Sequence, residues 1–257
     1  MALATQDSTI TLLSNYKNNM KTQEADISYL GAENRDRARL ESFISAVFKK
    51  YYNAEIDHFY PNLLSIETAD ENQSSTEQSI KAVAGVRCAA DEPLFSEYYL
   101  SNSLEAELET LYGKPIHRDQ VVEVGNLAPA NVGQMRWLIA SITAFLYSAG
   151  YKYIVFTAVQ GVYNAFRRMD IPLKLVTEAK QSCLPVEIKD KWGPEYYQLK
   201  PMVLAGDIVE GFDIMKKSIY SSNPKLIPLF EKAYLFGQQS MEGKHQRSLP
   251  EKNEYVA

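Results

Sequence analysis

Hydrophobic and polar positions alternate along this chain in a way that separates helices from strands. Leu40, Phe43, Ile44, Val47, Phe48 and Tyr51 recur at steps of three and four, which predicts a helix from about Glu33. The run His58-Phe59-Tyr60-Pro61 ends it, because proline disfavours helical backbone just before itself. Before that helix, residues 1–30 are weakly periodic and predict an irregular arm with one strand near Ile27–Leu30. Leu63–Thr68 and Ile80–Ala90 read as two strands of a hairpin, and the polar run 70–79 between them reads as an extended, solvated tip. Residues 93–100 form an aromatic-rich connection, and Leu104, Leu108 and Leu111 predict a helix over 101–112.

The second half continues the alternation. Gln120–Leu127 reads as a strand whose Gly125-Asn126 pair allows a bulge or a splay. Leu138, Ile142, Phe145 and Leu146 predict a helix over Val132–Ala149, stopped by Gly150. Tyr153–Val159 has the uninterrupted apolar character of a buried strand. A short helix over Val162–Met169, an extended Leu173–Val176, a turn at Ala179–Cys183 and a mixture of turn and strand over 192–206 follow. Asp207, with Glu210 three residues on, caps a helix carrying Ile208, Phe212, Met215 and Ile219. Asn223-Pro224 opens another, with Leu226, Leu229, Phe230 and Ala233 inward. Residues 241–257 are polar and read as a frayed, disordered tail. The fold class is therefore α/β: one domain over 1–206 with a mixed central sheet flanked by helices, plus a helical C-terminal appendage over 207–240.

Composition narrows the function without choosing it. With 257 residues and a hydrophobic content of 46%, the chain can bury a full core. Its net charge of -5 gives no global attraction for nucleic acid or anionic lipid. Cys88 and Cys183 are too few for a disulfide scaffold and read as reduced thiols of a cytoplasmic protein. His58, His117 and His245 lie far apart and no HExxH or CxxC spacing occurs, so no metal site is expected. The N-terminal segment lacks a secretory pattern. The longest apolar stretch, Trp137 to Tyr151, is too short and too interrupted by Ser141, Thr143, Ser148 and Gly150 to span a bilayer.

The most informative single residue is Glu123, a carboxylate inside the apolar strand VVEVGNL. By alternation it shares a face with Val121 and Gly125. Buried there, it would be costly to ionise and its pKa would rise, which suits a general base; facing solvent or pairing with an arginine, it would be structural. Arg87, in the strand AVAGVRCAA, could pair with it, bind a carboxylate or phosphate, or sit on the rim. The loop 128–133 leads into the helix that follows, and its N–H groups could hold a phosphate, although Gly125 and Gly133 also serve simple turns. Glu97, Tyr98 and Tyr99 favour plain packing, and Arg167-Arg168 with Lys174 and Lys180 a solvated face. Neither cysteine has a histidine nearby in sequence, and no GxSxG elbow supports a serine triad.

Three segments together resemble the thermostable hemolysin family: HFYPNLLSI (58–66), VVEVGNLAP (121–129) with its helix and FTAV (156–159), and the W-G-x-x-Y-Y-x-x-x-P-x-V run from Trp192 to Val203. The likeness covers roughly residues 30–220. That family looks related to acyl-homoserine-lactone synthases and to the GNAT acyltransferase fold. The resemblance implies a splayed GNAT-like sheet and transfer of an acyl group from a thioester to an amine or amino-acid-like acceptor. Glu123 takes the place of the synthases' strand glutamate as base, with Arg87 orienting a substrate carboxylate and Asn126 positioning the thioester arm. Leu127, Asn131, Gly133 and Tyr163 become candidate donor-binding residues. In NAFRRMDI (164–171), Phe166 stands where many GNAT enzymes carry a tyrosine acid, so Tyr163 is the candidate substitute. Of the GNAT pyrophosphate signature only Gly133 remains, in NVGQMR, which leaves room for the phosphopantetheine of an acyl-carrier protein beside coenzyme A as donor. No metal is implied. The family name also implies membrane lysis, so a membrane-active protein and a noncatalytic acyl-binding domain are the alternatives.

Overall fold

The computed structural model describes residues 25–69, 78–189 and 193–247. The described residues build one seven-stranded mixed sheet in the order β1-β2-β3-β4-β5-β7-β6. Its strands are β1 (Ala25–Leu30), β2 (Asn62–Ala69), β3 (Gln78–Cys88), β4 (Val121–Pro129), β5 (Tyr153–Ala158), β6 (Lys174–Glu178) and β7 (Met202–Asp207). The hairpin expected from sequence forms, with Ala69 opposite Gln78; most of its polar tip, 70–77, lies outside the described residues, as does Trp192.

Helix α1 (Arg37–Tyr52) buries Leu40, Ile44, Val47 and Phe48 against one face of the sheet, beside Leu63, Val83 and Ala128. On that face lie also a 3-10 turn (Phe95–Tyr99) and helix α2 (Leu104–Tyr112), capped by Ser103. Helix α3 (Val132–Ser148) lies on the opposite face and carries the β4-to-β5 crossover, which is why those two strands run parallel. Asn131 caps its start, and Gly150 takes a φ of +82° after its end. Helix α4 (Gln160–Arg167) follows β5.

A short helix α5 (Val186–Lys189) is followed by α6 (Gly193–Gln198), which replaces the turn expected early in 192–206. Pro194 misleads there, because proline is tolerated in the first turn of a helix, where its missing N–H is not needed. Helix α7 (Ile208–Ser222) starts where sequence places it, with Asp207 Oδ1 accepting from the N–H groups of Val209 and Glu210 at 2.9 and 3.0 Å. Helix α8 (Ile227–Arg247) runs seven residues into the stretch expected to be frayed, and 248–257 lie outside the described residues. Phe212, Met215, Leu229, Phe230 and Ala233 share one apolar core with α3 and the sheet.

Two departures from regular pairing set up the site. Val83 faces Ala128 and Gly85 faces Gly125, so β4 carries one more residue than β3 between those pairs. The bulge falls at Asn126-Leu127, and Asn126 takes the left-handed φ of +48° that such a bulge uses and asparagine tolerates. Pairing between β4 and β5 covers only Val121↔Tyr153, Val122↔Ile154 and Glu123↔Val155. β5 continues against β7 as far as Ala158, so beyond Glu123 the sheet parts between β4 and β5.

Candidate active site

The parted strands open on a cavity of about 560 Å³. Gly125, Asn126 and Leu127 line it from β4, and Thr157, Ala158 and Val159 from the end of β5. Phe48, Tyr52, Ile56, Phe95, Val162 and Tyr196 supply a largely apolar, aromatic wall. His58, Tyr60, Arg87, Glu92 and Glu97 add polar and charged groups to that lining. A largely apolar lining with a few polar groups is the usual makeup of a small-molecule site. The described residues contain no cluster of acidic, histidine or cysteine side chains able to hold a metal ion.

Tyr60 fills the floor because two glycines let it. Gly85 and Gly125 are paired across β3 and β4, and the Tyr60 ring lies over both. A Cβ on Gly85 would stand 2.6 Å from Tyr60 Cβ, and one on Gly125 2.6 Å from its hydroxyl oxygen, closer than real contacts allow. The backbone of Tyr60 is held at both ends. Its N–H donates to Asn126 Oδ1 at 2.9 Å, and its carbonyl accepts from the buried Arg37 guanidinium, which also donates to the Pro61 carbonyl at 2.8 Å. The left-handed turn at Asn126 is thus tied to the segment that carries Tyr60.

Arg87 is buried on the neighbouring position of β3. Its guanidinium lies 4.6 Å from the Tyr60 ring centre, donates to the Pro93 carbonyl at 3.2 Å and meets His58 Nε2 at 3.1 Å. Arginine is always the donor in such a contact, so His58 Nε2 accepts. Glu92 adds an ion pair to Arg87 Nε at 3.5 Å.

Glu123 is opposite Arg87 in the sheet and fully buried, which excludes the solvent-facing alternative. Its two oxygens accept from backbone N–H groups at the start of the Phe95–Tyr99 turn, Oε2 from Phe95 at 2.8 Å and Oε1 from Ser96 at 2.7 Å. Burial pushes its pKa up, against the pull of those two N–H bonds and of the Arg87 charge. Glu123 does not line the cavity; Tyr60 does. The Tyr60 hydroxyl is pushed well above its ordinary range by burial, and the negative charge of Glu123 adds to the rise.

Glu97, expected to be mere packing, reaches the cavity but is held by Arg118, whose two terminal nitrogens meet its oxygens at 2.9 and 2.7 Å. Burial raises its pKa, but Arg118 and the Leu94 N–H win and hold it low. Tyr98 and Tyr99 also line the cavity, with the Tyr99 hydroxyl 2.7 Å from that of Tyr197. Burial pushes Tyr197 up to about 12.

Of the residues singled out from sequence, the fold brings Arg87, Asn126 and Leu127 to the cavity and places Glu123 directly behind its floor. Asn131, Gly133, Tyr163 and Phe166 lie elsewhere. The Asn131 side chain caps α3 by accepting from Gly133 and Gln134 N–H at 2.9 and 3.3 Å, so those donors serve the helix start. Tyr163 packs beside Arg167, with 5.9 Å from guanidinium to ring centre, and does not line the cavity. Phe166 is buried and stacked on Phe156. Cys88 and Cys183 are both free thiols. Sequence reasoning missed His58, Tyr60 and Tyr196 as site residues. The signal for Tyr60 was there in Gly85 and Gly125, two small residues in apolar strands, but only the strand register shows that they face each other.

The solved structures to which this chain is similar include MesI, a CoA-dependent acyl-homoserine lactone synthase, at 15% identity and a TM-score of 0.47, covering 77% of this chain and 96% of that one. LasI, an AHL synthase, gives 10% and 0.47 over 73% and 91% of the two chains. BjaI, a CoA-dependent acyl-homoserine lactone synthase solved with SAM and isopentyl-CoA, gives 11% and 0.47 over 77% and 90%. No curated protein matches the chain in sequence. The family profile described as thermostable hemolysin matches residues 30–212, well over half of the chain, and includes every strand from β2 to β7 together with the whole cavity. The chain belongs to the thermostable hemolysin family.

Proposed function

We propose that this chain is an N-acyltransferase that moves an acyl group from a thioester to an amine or amino-acid-like acceptor. The observation that carries this reading is the parting of β4 and β5 directly after Glu123 and Val155, beside a cavity lined by aromatic and polar side chains. Strand edges that stop pairing with each other offer backbone donors and acceptors to an extended, amide-rich arm such as phosphopantetheine. The donor is an acyl-carrier protein or coenzyme A. The Asn126-Leu127 bulge holds the thioester, with the Leu127 N–H toward the oxyanion. Asn131, Gly133 and Tyr163 have no part in this reading.

Arg87 orients a carboxylate of the acceptor, which suits its buried, fork-like guanidinium. The acceptor nitrogen attacks the thioester carbonyl, the C–N bond forms, the C–S bond breaks and the thiol leaves. The proton lost by nitrogen ends on Glu123, whose pKa is raised by burial, which makes it a better proton acceptor than an ordinary carboxylate. Since Glu123 lies behind the cavity floor, that proton crosses an intermediate group.

The test is purified protein incubated with acyl-carrier or acyl-CoA thioesters and a pool of amines and amino acids, read by mass spectrometry. An amide product is expected, with Glu123→Gln slower by about 10²-fold. Thermal stabilisation by an acyl ligand without any amide would identify a noncatalytic binding domain instead. Lysis of liposomes that is indifferent to Glu123→Gln would identify a membrane-active protein; among the described residues no helix is long and apolar enough to cross a membrane.

A further inference from the structure

We infer that Tyr60 is a catalytic residue: its hydroxyl is the intermediate group that carries the acceptor's proton from the cavity to Glu123. The inference rests on the acyltransfer reading above and adds the residue that contacts the reacting nitrogen.

Four observations converge on it. First, the carboxylate is out of reach: Glu123 is fully buried, both oxygens accept from the backbone of the Phe95–Tyr99 turn, and it is not part of the cavity wall. Second, Tyr60 is in that wall and its hydroxyl lies against Gly125, the next residue on the face of β4 that carries Glu123, so the phenol stands between the acid and the cavity. Third, three of the titratable or charged groups that share the cavity with Tyr60 are already engaged. His58 Nε2 accepts from Arg87, Glu97 is bound by Arg118, and Arg87 has no proton to give up near neutral pH. Fourth, the ring is fixed more firmly than packing needs. It crosses a pair of opposed glycines, lies beneath the Arg87 guanidinium, and has its backbone tied to Asn126 and Arg37. Such fixing of a hydroxyl over β4, where that strand leaves β5, is what a proton relay requires.

The step balances. As the C–N bond forms, the acceptor's N–H proton passes to the Tyr60 oxygen while the phenolic proton passes to Glu123. As the C–S bond breaks, Glu123 returns a proton to Tyr60, and Tyr60 gives one to the departing thiolate. The products are an amide and a thiol, and both side chains end as they began. A phenol with a high pKa suits this, because it stays protonated and exchanges one proton for another without ever holding a charge for long.

Tyr60→Phe keeps the ring over the two glycines and removes only the hydroxyl. With the thioester and acceptor that the wild type uses, kcat should fall about 10²-fold with KM little changed, and Glu123→Gln combined with Tyr60→Phe should be no slower than the slower single variant. A second readout needs no turnover. The infrared carboxyl band of Glu123, assigned by its loss in Glu123→Gln, should shift in Tyr60→Phe because the hydrogen bond that the relay requires is removed. Melting temperatures of the variants establish that each is folded. An active wild type with an equally active Tyr60→Phe overturns the relay while leaving acyltransfer standing, and an unmoved carboxyl band overturns it as well. If no thioester gives an amide with wild type, the acyltransfer reading falls and the catalytic role of Tyr60 falls with it, whereas a shifted band would still establish the Tyr60–Glu123 hydrogen bond.

Discussion

A carboxyl group enclosed by protein on every side is legible in how stability responds to pH, and Glu123 is such a group. Burial raises its pKa in the folded chain above the ordinary glutamate value of about 4.3. Below that value the group is protonated in both states and contributes nothing that depends on pH. As pH climbs past it, the unfolded chain releases the proton while the folded chain keeps it. The unfolded state then binds fewer protons, so stability falls with rising pH until the raised pKa is passed. Glu97 works with the opposite sign. Arg118 holds its pKa low, so its contribution is present above the ordinary value and is lost on acidification. Subtracting the stability profile of Glu123→Gln from that of the wild type isolates the first effect. The wild type should lose ground from about pH 4 upward, at a slope no steeper than about 1.4 kcal/mol per pH unit. Denaturant melts at several pH values measure it, and a difference that stays flat between pH 4 and 8 would mean that the carboxyl is not perturbed. The same group in the free enzyme should make kcat/KM rise with pH through the raised value, since the base must be ionised to accept. Placing Glu123 in an apolar strand needed only alternation, which sequence displays. Finding what it touches needed the fold, because Phe95 and Ser96 come from a segment 27 or 28 residues away whose turn carries no periodic signature.

At the level of elements, the site depends on two strands coming apart and on two others coming close. The close approach is made by Gly85 and Gly125, over which Tyr60 lies. Gly125→Ala adds one methyl group where the tyrosine hydroxyl now stands. Its φ is not left-handed, so the damage is steric and falls on Tyr60 and the cavity floor. Overpacking of this kind costs about 1–3 kcal/mol, or roughly 2–12 °C in melting temperature for a chain of this size. Amide formation should fall by much more than that loss of stability accounts for, because the relay and the cavity entrance move together. Calorimetry and turnover on the same preparation check both halves, and a variant with wild-type turnover would show that Tyr60 need not lie across that glycine. Sequence showed the bulge and splay as possibilities, through Gly125-Asn126 near the end of an apolar strand. The register that confirms them, with one extra β4 residue and only three β4–β5 pairs, is a long-range property that no local pattern encodes. Helix α6 is hidden for a local reason, since Gly193-Pro194 signals a turn as readily as a helix start.

For the whole molecule, the question is whether the C-terminal helices are an addition to the domain or part of it. Sequence gave two amphipathic helices after 207 and suggested an appendage, because periodicity shows that a face is apolar and not what covers it. In the fold, Phe212, Met215, Ile219, Leu226, Leu229 and Phe230 are each at most 6% exposed and belong to the same core as α3 and the central strands. Tyr147 of α3 stacks on Phe212 with ring centres 3.8 Å apart. Gly237 of α8 crosses α3 so closely that a Cβ there would overlap Ser148 Oγ and the Phe145 carbonyl. At the other end, Lys232 of α8 pairs with Asp26 and donates to the Ala25 carbonyl at 3.3 Å, tying α8 to the edge strand β1. None of the residues of 207–240 lines the cavity, so these helices support the sheet from behind and do not cover an acyl chain there. Burying a large apolar side chain contributes about 1.5–3 kcal/mol, so six of them amount to roughly 10 kcal/mol or more, as large as the net stability of a typical domain. A chain ended at residue 206 should therefore lose cooperative folding altogether and not merely activity. Circular dichroism melts and the soluble yield of the 1–206 chain test this. A sigmoidal melt within a few degrees of the full chain would show that the strands and α3 hold together alone, and that the helices are an addition after all.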